Sequence, residues 1–311
     1  MTIELDAPDG VGEIRVGSDL AAEIARALNL RDGDIVVVTS KVVSKAEGRV
    51  LPYLNATDRD AAIDRETVRE VARRGPVRIV ENRLGLVMAA AGVDVSNLAN
   101  GTLALLPEDP DATARSLRER LGSDHAVNVA IVIADTAGRP WRVGQTDIAI
   151  GLAGLDAYDD FEGRMDAYGN ELAVTAPAVA DEIAGAAELA SGKLGARPFI
   201  RLRGLGHRVL PAGTHGEGAR ALQRVAEEDL FSLGTREAVV AAFVPGERWT
   251  PVATVEDLTR ALTQSGLAVV ESDKERVRIG GDDERDQWQA EVIARVHGWR
   301  PGAASGEFVA S

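Results

Sequence analysis

Val-Asn-Val-Ala-Ile-Val-Ile-Ala-Asp-Thr-Ala-Gly-Arg-Pro-Trp-Arg-Val-Gly-Gln-Thr occupies residues 127–146. Val127–Ile133 is apolar apart from Asn128, the pattern of a strand buried on both faces. Such a strand delivers Asp135 and Thr136 to its carboxyl end, where Gly138 is expected to turn the backbone sharply. Arg139, Trp141 and Arg142 follow at once. A carboxylate beside a hydroxyl suits Mg²⁺ or Mn²⁺, since hard cations take oxygen ligands. Nearby arginines suit phosphate or carboxylate, because planar guanidinium forks bind oxyanions in pairs. A strand end whose Asp caps a turn and whose arginines are solvated reads the same residues equally well.

Outward from this strand, strand-like and helix-like segments alternate. Leu20–Leu28 has helical periodicity with Ser18 or Asp19 as cap, and Ile35–Val38 reads as a buried strand. Asp58–Arg74 reads as a charged amphipathic helix. Val77–Val80 and Leu84–Ala89 read as short strands around a turn. Pro110–Leu121 is a helix between Asp109 and Gly122, and Pro177–Ser191 is another with Pro at its first turn. Gln145–Gly151, Leu172–Thr175 and Phe199–Leu202 read as extended, and Ala219–Asp229 as helix. Beyond a composition shift near Leu233, Val255–Gln264 and Gln287–His297 read as helices flanking a hairpin, Leu267–Glu271 with Val277–Ile279. That order suits a winged module, but Asp282-Asp283-Glu284 argues against DNA. The last dozen residues read as frayed.

The chain has 311 residues, 45% of them hydrophobic, which supports one large domain or two modest ones. Aromatics are only 4%, so the core must be built from Ala, Val, Leu and Ile. Absence of cysteine excludes a disulfide framework, a thiolate zinc site and a Cys nucleophile, and suits a reducing cytosol. A net charge of −14 repels phosphate backbones, so nucleic acid is not expected as a partner. Any anionic substrate needs a local metal or cation cluster. Lys41, Lys45, Lys193 and Lys274 are the only lysines. Met1–Asp6 has neither the basic nor the apolar region of a signal peptide, and no apolar run approaches the roughly 20 residues of a membrane span. A cytoplasmic protein without a membrane partner is expected.

No standard nucleotide motif is present. Ser191-Gly192-Lys193-Leu194 has Leu where a phosphate-binding loop needs a hydroxyl. Gly204-x-Gly206 lacks the third glycine of a dinucleotide loop. No His-Glu-x-x-His helix occurs, and His207 and His215 read as solvated loop residues. Four other segments carry candidate chemistry. Thr39–Arg49 follows a strand and holds Ser40, Lys41 and Lys45, donors and point charges suited to polyphosphate; a solvated turn is the alternative. Ala91–Asn97 places Asp94 before a Ser/Asn turn, as a metal ligand or as an Asx-turn. Gly216-Glu217-Gly218 lets backbone approach a ligand closely, or is merely a flexible loop. Asp166–Glu171 is a substrate-contacting turn or a hairpin. Asp94, Asp135, Glu217, Thr136 and the lysines together would hold a divalent pair against a nucleoside triphosphate. The set contains no evident nucleophile, which favours chemistry between bound substrates.

Residues 32–49, 81–87, 90–97, 135–147 and 166–175, in that order, resemble the coenzyme F420:L-glutamate ligase (F420-0 gamma-glutamyl ligase) family, and within it the amino-terminal half of the actinobacterial two-domain form. The resemblance runs over residues 3–234. It implies a mixed α/β (α+β) ligase-like fold over residues 1–234, with residues 235–311 a small α/β appendage of unknown role. It implies a homodimeric, GTP-dependent ligase that adds L-glutamate to coenzyme F420-0 and extends it through gamma-linkages, with two Mg²⁺ or Mn²⁺ ions per site and K⁺ as an optional further ion. By matched position, GTP contacts fall on Val11, Gly12, Glu13, Ile14, Ser40, Lys41, Lys45 and Asn97. Metal ligation falls on Asp94, Asp135, Thr136 and Glu217, with loop 212–219 closing over the nucleotide. Asp135, Arg139 and Arg142 are the catalytic candidates. Residues 235–311 do not resemble the flavin-binding half of the two-domain form, so its reductase activity is not implied. Ala134 replaces a polar family residue and should face away from Asp135. Two rival readings remain: a related ligase for a different acid, and a non-catalytic GTP- or deazaflavin-binding partner of another enzyme.

Overall fold

Two apolar strands, β2 (Ile35–Thr39) and β8 (Ala130–Gly138), run parallel in register, with Ile35 opposite Ala130 and Val38 opposite Ile133. They form the middle of a five-stranded sheet in a computed structural model that describes residues 1–225, 228, 229, 231–244 and 252–310. The chain divides into two compact units, Met1–Asp229 and Leu230–Ser311. The large sheet belongs to the first. Its order is β1 (Glu4–Asp6), β10 (Phe199–Arg203), β2, β8, β9 (Gln145–Ala153), and every pairing but β2–β8 is antiparallel.

Both faces of this sheet are covered, which is why its strands read as apolar runs rather than as alternation. On one face Val36, Val38, Ile131, Ile133 and Phe199 pack with Leu20, Ala21 and Ile24 of α1 (Leu20–Ala27) and with Val42 and Val43 of α2 (Ser40–Ala46). Ala114, Leu117 and Leu121 of α4 (Pro110–His125) complete that layer. On the other face Ile35, Val37, Val132, Ala134 and Leu202 pack against Val179, Ala180, Ile183 and Ala187 of α5 (Val179–Ser191). Ala134 thus lies in the core and not beside Asp135, as its strand parity requires. The helices start where the sequence signals: Asp19 accepts from the Ala22 amide, and Asp109 from the Ala112 amide. Gly122 does not end α4, which stops at Ala126 in the left-handed region.

β9 is an edge strand, and two helix N-termini cover it. Asp111 of α4 accepts the Leu152 amide at 2.8 Å, and Asp181 of α5 accepts the Ala149 amide at 2.8 Å. These bonds satisfy groups that would otherwise template aggregation. Burial pushes the Asp181 carboxyl up, against that hydrogen bond. The close approach of α4 requires a glycine: a Cβ on Gly151 would collide with the Pro110 carbonyl, which is backbone. Gly151→Ala is expected to destabilise the protein by about 2 kcal/mol through overpacking, read as a lowered urea midpoint at unchanged slope.

Smaller sheets complete this unit. β3 (Val50–Pro52) pairs with β7 (Thr102–Ala104), and β4 (Thr67–Arg74), β5 (Val77–Asn82) and β6 (Val87–Ala89) form a three-stranded sheet. Here the structure corrects the single helix expected over 58–74. α3 (Ala56–Glu66) opens on a capping box between Asn55 and Asp58 and ends at β-branched Thr67, after which the chain is β4. Charges of this segment pair across strands, Arg69 with Glu81 and Glu70 with Arg78, while Glu70 also keeps its i,i+3 pair with Arg73. The helix expected over 219–229 is a 3-10 turn over Ala219–Leu222; residues 226 and 227 lie outside those described. Segment 172–175 forms no strand.

The second unit has α6 (Thr235–Ala242), α7 (Val255–Gln264), β11 (Val269–Ser272), β12 (Arg276–Ile279), α8 (Glu284–Val296), β13 (Trp299–Pro301) and β14 (Glu307–Ala310). Its sheet runs β11-β12-β14-β13, all antiparallel. The tail is therefore not frayed. Trp299 and Phe308 are buried with Leu258, Leu262 and Ala290, and the Trp299 indole donates to the Ala253 carbonyl at 2.9 Å. Among the described residues no helix is long and apolar enough to cross a membrane.

Candidate functional site

β2 ends opposite Ala134 of β8, so the first residues of α2 meet Asp135, the next residue along β8. Ser40, the first residue of α2, donates to Asp135 Oδ1 at 2.6 Å. Lys41 Nζ donates to Asp94 Oδ2 at 2.6 Å and to the Ser96 carbonyl at 2.6 Å. Ser96 returns its own amide and hydroxyl to Asp94. Asp94 is thus both an Asx-turn and part of the polar cluster. Lys45 Nζ pairs with Glu13 Oε1 at 2.7 Å, tying segment 11–14 to α2. Ile14 anchors that segment in the core, with Val11 packed against it. The segment Ser40–Ala46 is helical, not a bare turn, and places Ser40, Lys41 and Lys45 within its length.

β8 does not end at Asp135. It runs on to Gly138, and residues 139–144 form a hairpin loop to β9. Gly138 therefore pairs with Gln145 instead of turning the chain. The register sets Thr136 opposite Asp147, and the Thr136 hydroxyl donates to Asp147 Oδ1 at 2.6 Å. Lys193, just beyond α5, donates to Thr136 Oγ1 at 2.5 Å and pairs with Glu188 at 2.5 Å and Asp147 at 3.5 Å. Asn97, with φ of 52°, donates to the Lys193 carbonyl at 3.4 Å.

Alternation along β8 sorts these groups. Ile131 and Ile133 face the α1–α4 layer, and Ala130, Val132 and Ala134 face α5. Asp135 accordingly points to the α2 side with Ser40, whereas Thr136 points to the α5 side with Asp147 and Lys193. Burial raises the Asp135 carboxyl from 3.8 to about 6; Ser40 opposes this, and the neighbouring Asp147 and Asp94 charges add to it. Asp147 is raised too, chiefly by burial. Burial pushes Asp94 upward as well, but hydrogen bonds from Lys41 and Ser96 outweigh it and leave the carboxyl below its ordinary value. Hard oxygen donors crowded until one resists ionisation are what a divalent cation relieves, so the chemistry of Asp94 and Asp135 fits one. Among the described residues no three carboxylates or histidines stand close enough to form a closed metal cage.

The remaining candidates are spread out. Arg139 and Arg142 are exposed in the hairpin loop. Glu217 is exposed on a loop whose next residues bind elsewhere: the Ala219 amide donates to Asp111, the same carboxylate that takes Leu152. About 16 Å of strand, at roughly 3.3 Å per residue, separates Leu152 from Asp147. His215 lies between Arg118 and Glu119, and His207 is exposed on a short 3-10 turn. Asp166 caps the amides of Tyr168 and Asn170 in an exposed turn.

Comparison with known proteins decides what this arrangement belongs to. The profile of the F420-0:Gamma-glutamyl ligase family matches residues 10–204, which include β2, α2, β8 and β9. The chain belongs to this family. It is 40% identical over 223 residues to the coenzyme F420:L-glutamate ligase of Halorubrum lacusprofundi, covering 65% of this chain and 87% of that one. It is 38% identical over 248 residues to the Archaeoglobus fulgidus protein of the same name, covering 74% and 97%. The Methanopyrus kandleri protein of that name is 39% identical over 239 residues, covering 70% and 93%. The family segment thus carries Asp94, Asp135, Thr136 and both lysines of α2, while the second unit lies beyond the profile match.

Sequence reasoning missed Asp147, Glu188 and Lys193 as members of the site. Asp147 was within reach: a hairpin closed symmetrically around Pro140–Val143 sets residue 147 against residue 136. Lys193 drew notice only as a failed phosphate-loop lysine, because nothing local ties the end of α5 to β8.

Proposed function

We propose that this member of the family is a GTP-dependent ligase that joins L-glutamate to the carboxylate of coenzyme F420-0 and then adds further glutamates through gamma-linkages, in coenzyme F420 biosynthesis. The observation that carries the proposal is the convergence of Ser40, Lys41, Asp94 and Asp135 where β2 ends beside its parallel neighbour β8, inside the segment shared with the named ligases. The acceptor carboxylate attacks the GTP γ-phosphorus, the bond to the bridging oxygen breaks, and GDP leaves. The amine of glutamate then attacks the resulting acyl phosphate, phosphate leaves, and the amine gives up one proton. Both steps join bound substrates, so the protein need supply only position and charge.

Lys41 and Lys45, with the backbone of Val11–Ile14, hold the triphosphate, and Asn97 borders it. Asp94 and Asp135 would hold the divalent cation, Mg²⁺ or Mn²⁺, which screens triphosphate charge when bound. Thr136 is a further proposed ligand, Glu217 joins it when loop 212–219 closes over the nucleotide, and Arg139 and Arg142 meet the acceptor's anionic tail. A homodimer working in the cytoplasm is part of the same proposal. The test is mass spectrometry of F420-0 incubated with the purified protein, GTP, Mn²⁺ and L-glutamate. A glutamate-sized gain that requires GTP is the expected result. Folded protein that binds GTP without any gain would overturn it, in favour of a binding protein or a ligase for another acid.

A further inference from the structure

Asp94 is reached through a costly stretch of backbone. Ala90, Ala91 and Gly92 have φ of 52°, 56° and 79°, three consecutive residues in the left-handed region. L-residues visit that region singly and at a cost, because Cβ crowds the following carbonyl oxygen. The Val93 amide closes the turn on the Ala90 carbonyl at 2.9 Å. Two alanines stay in such a turn only where their surroundings over-determine it. On one side Leu106 fills the place a Cβ on Gly92 would take, and Asp94 exchanges both backbone bonds with Ala104. On the other stands Asn82, at the end of β5 and 2% exposed. Its carboxamide oxygen accepts the Leu84 and Leu86 amides at 3.0 and 3.1 Å, which fixes the way the group faces. The NH₂ end is thereby turned to the Ala91 carbonyl, at 3.4 Å, and to Met88 Sδ, at 3.5 Å.

We infer that Asn82 is a positioning residue for Asp94: its amide holds Ala90–Gly92 left-handed, and that turn aims the Asp94 carboxylate at Lys41 and at the divalent cation. Asn82 bonds to neither Asp94 nor Lys41; it acts through the Ala91 carbonyl. Val93 leaves the turn into the core, and the carboxylate one residue on meets Lys41 Nζ at 2.6 Å. Relaxation of the turn to right-handed backbone would swing the peptide that enters Asp94 and carry the carboxylate with it. Alanine at 90 and 91 leaves the turn fewer alternatives than glycine would, so the strained form, once held, is stiff. This inference rests on the metal role given to Asp94 in the ligase reading above.

The test reads metal binding apart from turnover. Mn²⁺–GTP is titrated into the protein without acceptor or glutamate, and the enhancement of water-proton relaxation reports the protein-bound ion. Asn82→Asp keeps an oxygen for Leu84 and Leu86 and loses the donor to Ala91; its binding is expected to weaken about tenfold. Adding Ala90→Gly, which opens the left-handed region without steric cost, should recover at least half of that loss on a logarithmic scale. A lowered melting midpoint with Mn²⁺–GTP binding unchanged would make Asn82 a fold-stabilising residue only and overturn the inference, as would a double variant no better than Asn82→Asp. Ala90→Gly alone does not depend on how Asn82→Asp folds. It should melt at or above wild type and bind within about twofold of it. A lower midpoint would mean that the turn holds no strain for Asn82 to restrain, and would also overturn the inference. Asp94→Asn marks the separate failure: Mn²⁺–GTP binding equal to wild type there would defeat the metal role of Asp94 itself, whatever Asn82 does.

Discussion

Asp135→Asn is expected to lower turnover by a factor of about 10²–10⁴, in a protein at least as stable as wild type. The activity loss follows from position. Asp135 is the carboxylate on the α2 side of β8, held by Ser40 at 2.6 Å and facing Lys41 and Asp94. Removing one preorganised charge from a phosphoryl-transfer site typically costs a factor of about 10²–10⁴. The stability gain follows from the sign of the pKa shift. Burial raises the folded carboxyl from 3.8 to about 6, so the folded state prefers it protonated. Ionising it costs stability as pH rises from near 4 to above 6, and the whole penalty, on the order of 3 kcal/mol, is present at pH 7. Asparagine carries no charge and still accepts from Ser40, so it keeps the one hydrogen bond and removes the repulsion of the Asp147 and Asp94 charges. Melting curves at pH 5 and pH 8 check this. The wild type should lose stability across that range, and the variant should lose less. A variant that melts well below wild type at pH 8 would show Asp135 to be a structural ion-pair residue.

The same residue shows what the sequence could and could not convey. β2, β8 and α1 were legible because apolar runs and caps are local signals, and Asp135 was legible because it follows such a run. Asp135 and Thr136 look like one donor pair in sequence, yet alternation sends them to opposite faces of β8. The groups each one meets, Ser40 and Asp94 on one side and Asp147 and Lys193 on the other, are fixed by sheet order and helix packing, which leave no local mark. The failure over 67–74 has the same root. Arg and Glu at helical spacing also suit a strand whose partners lie across the sheet, and only the register with β5 chooses between them. Trp299 and Phe308 anchor the tail through long-range contacts, so its small residues misled.

Arg118→Ala is expected to destabilise the first unit by about 3–5 kcal/mol and to release loop 210–216. Arg118 is buried on α4, where its guanidinium meets the carbonyls of Val129, Leu210, Pro211 and Thr214 and the Asn128 side chain. Burial lowers its pKa, since those carbonyl dipoles take the place of water without supplying a full counter-charge. Truncation would strand several buried acceptors at once, each costing about 1–3 kcal/mol less what entering water recovers. Lysine should not rescue it, because a single ammonium cannot span acceptors arranged around a planar fork. The Cβ of any residue at 154 would strike the guanidinium, so Gly154 and Arg118 form one structural unit. That unit matters for the site, because His215 and the segment leading to Glu217 hang from it: the Gly154 amide donates to the His215 carbonyl at 2.7 Å. If loop 212–219 closes over the nucleotide, Arg118 sets the end from which it closes. Amide hydrogen exchange separates the two effects. Arg118→Ala should expose 210–216 to exchange on a timescale on which β2 and β8 stay protected. Uniform loss of protection across the sheet would mean that the arginine holds the core and not the loop.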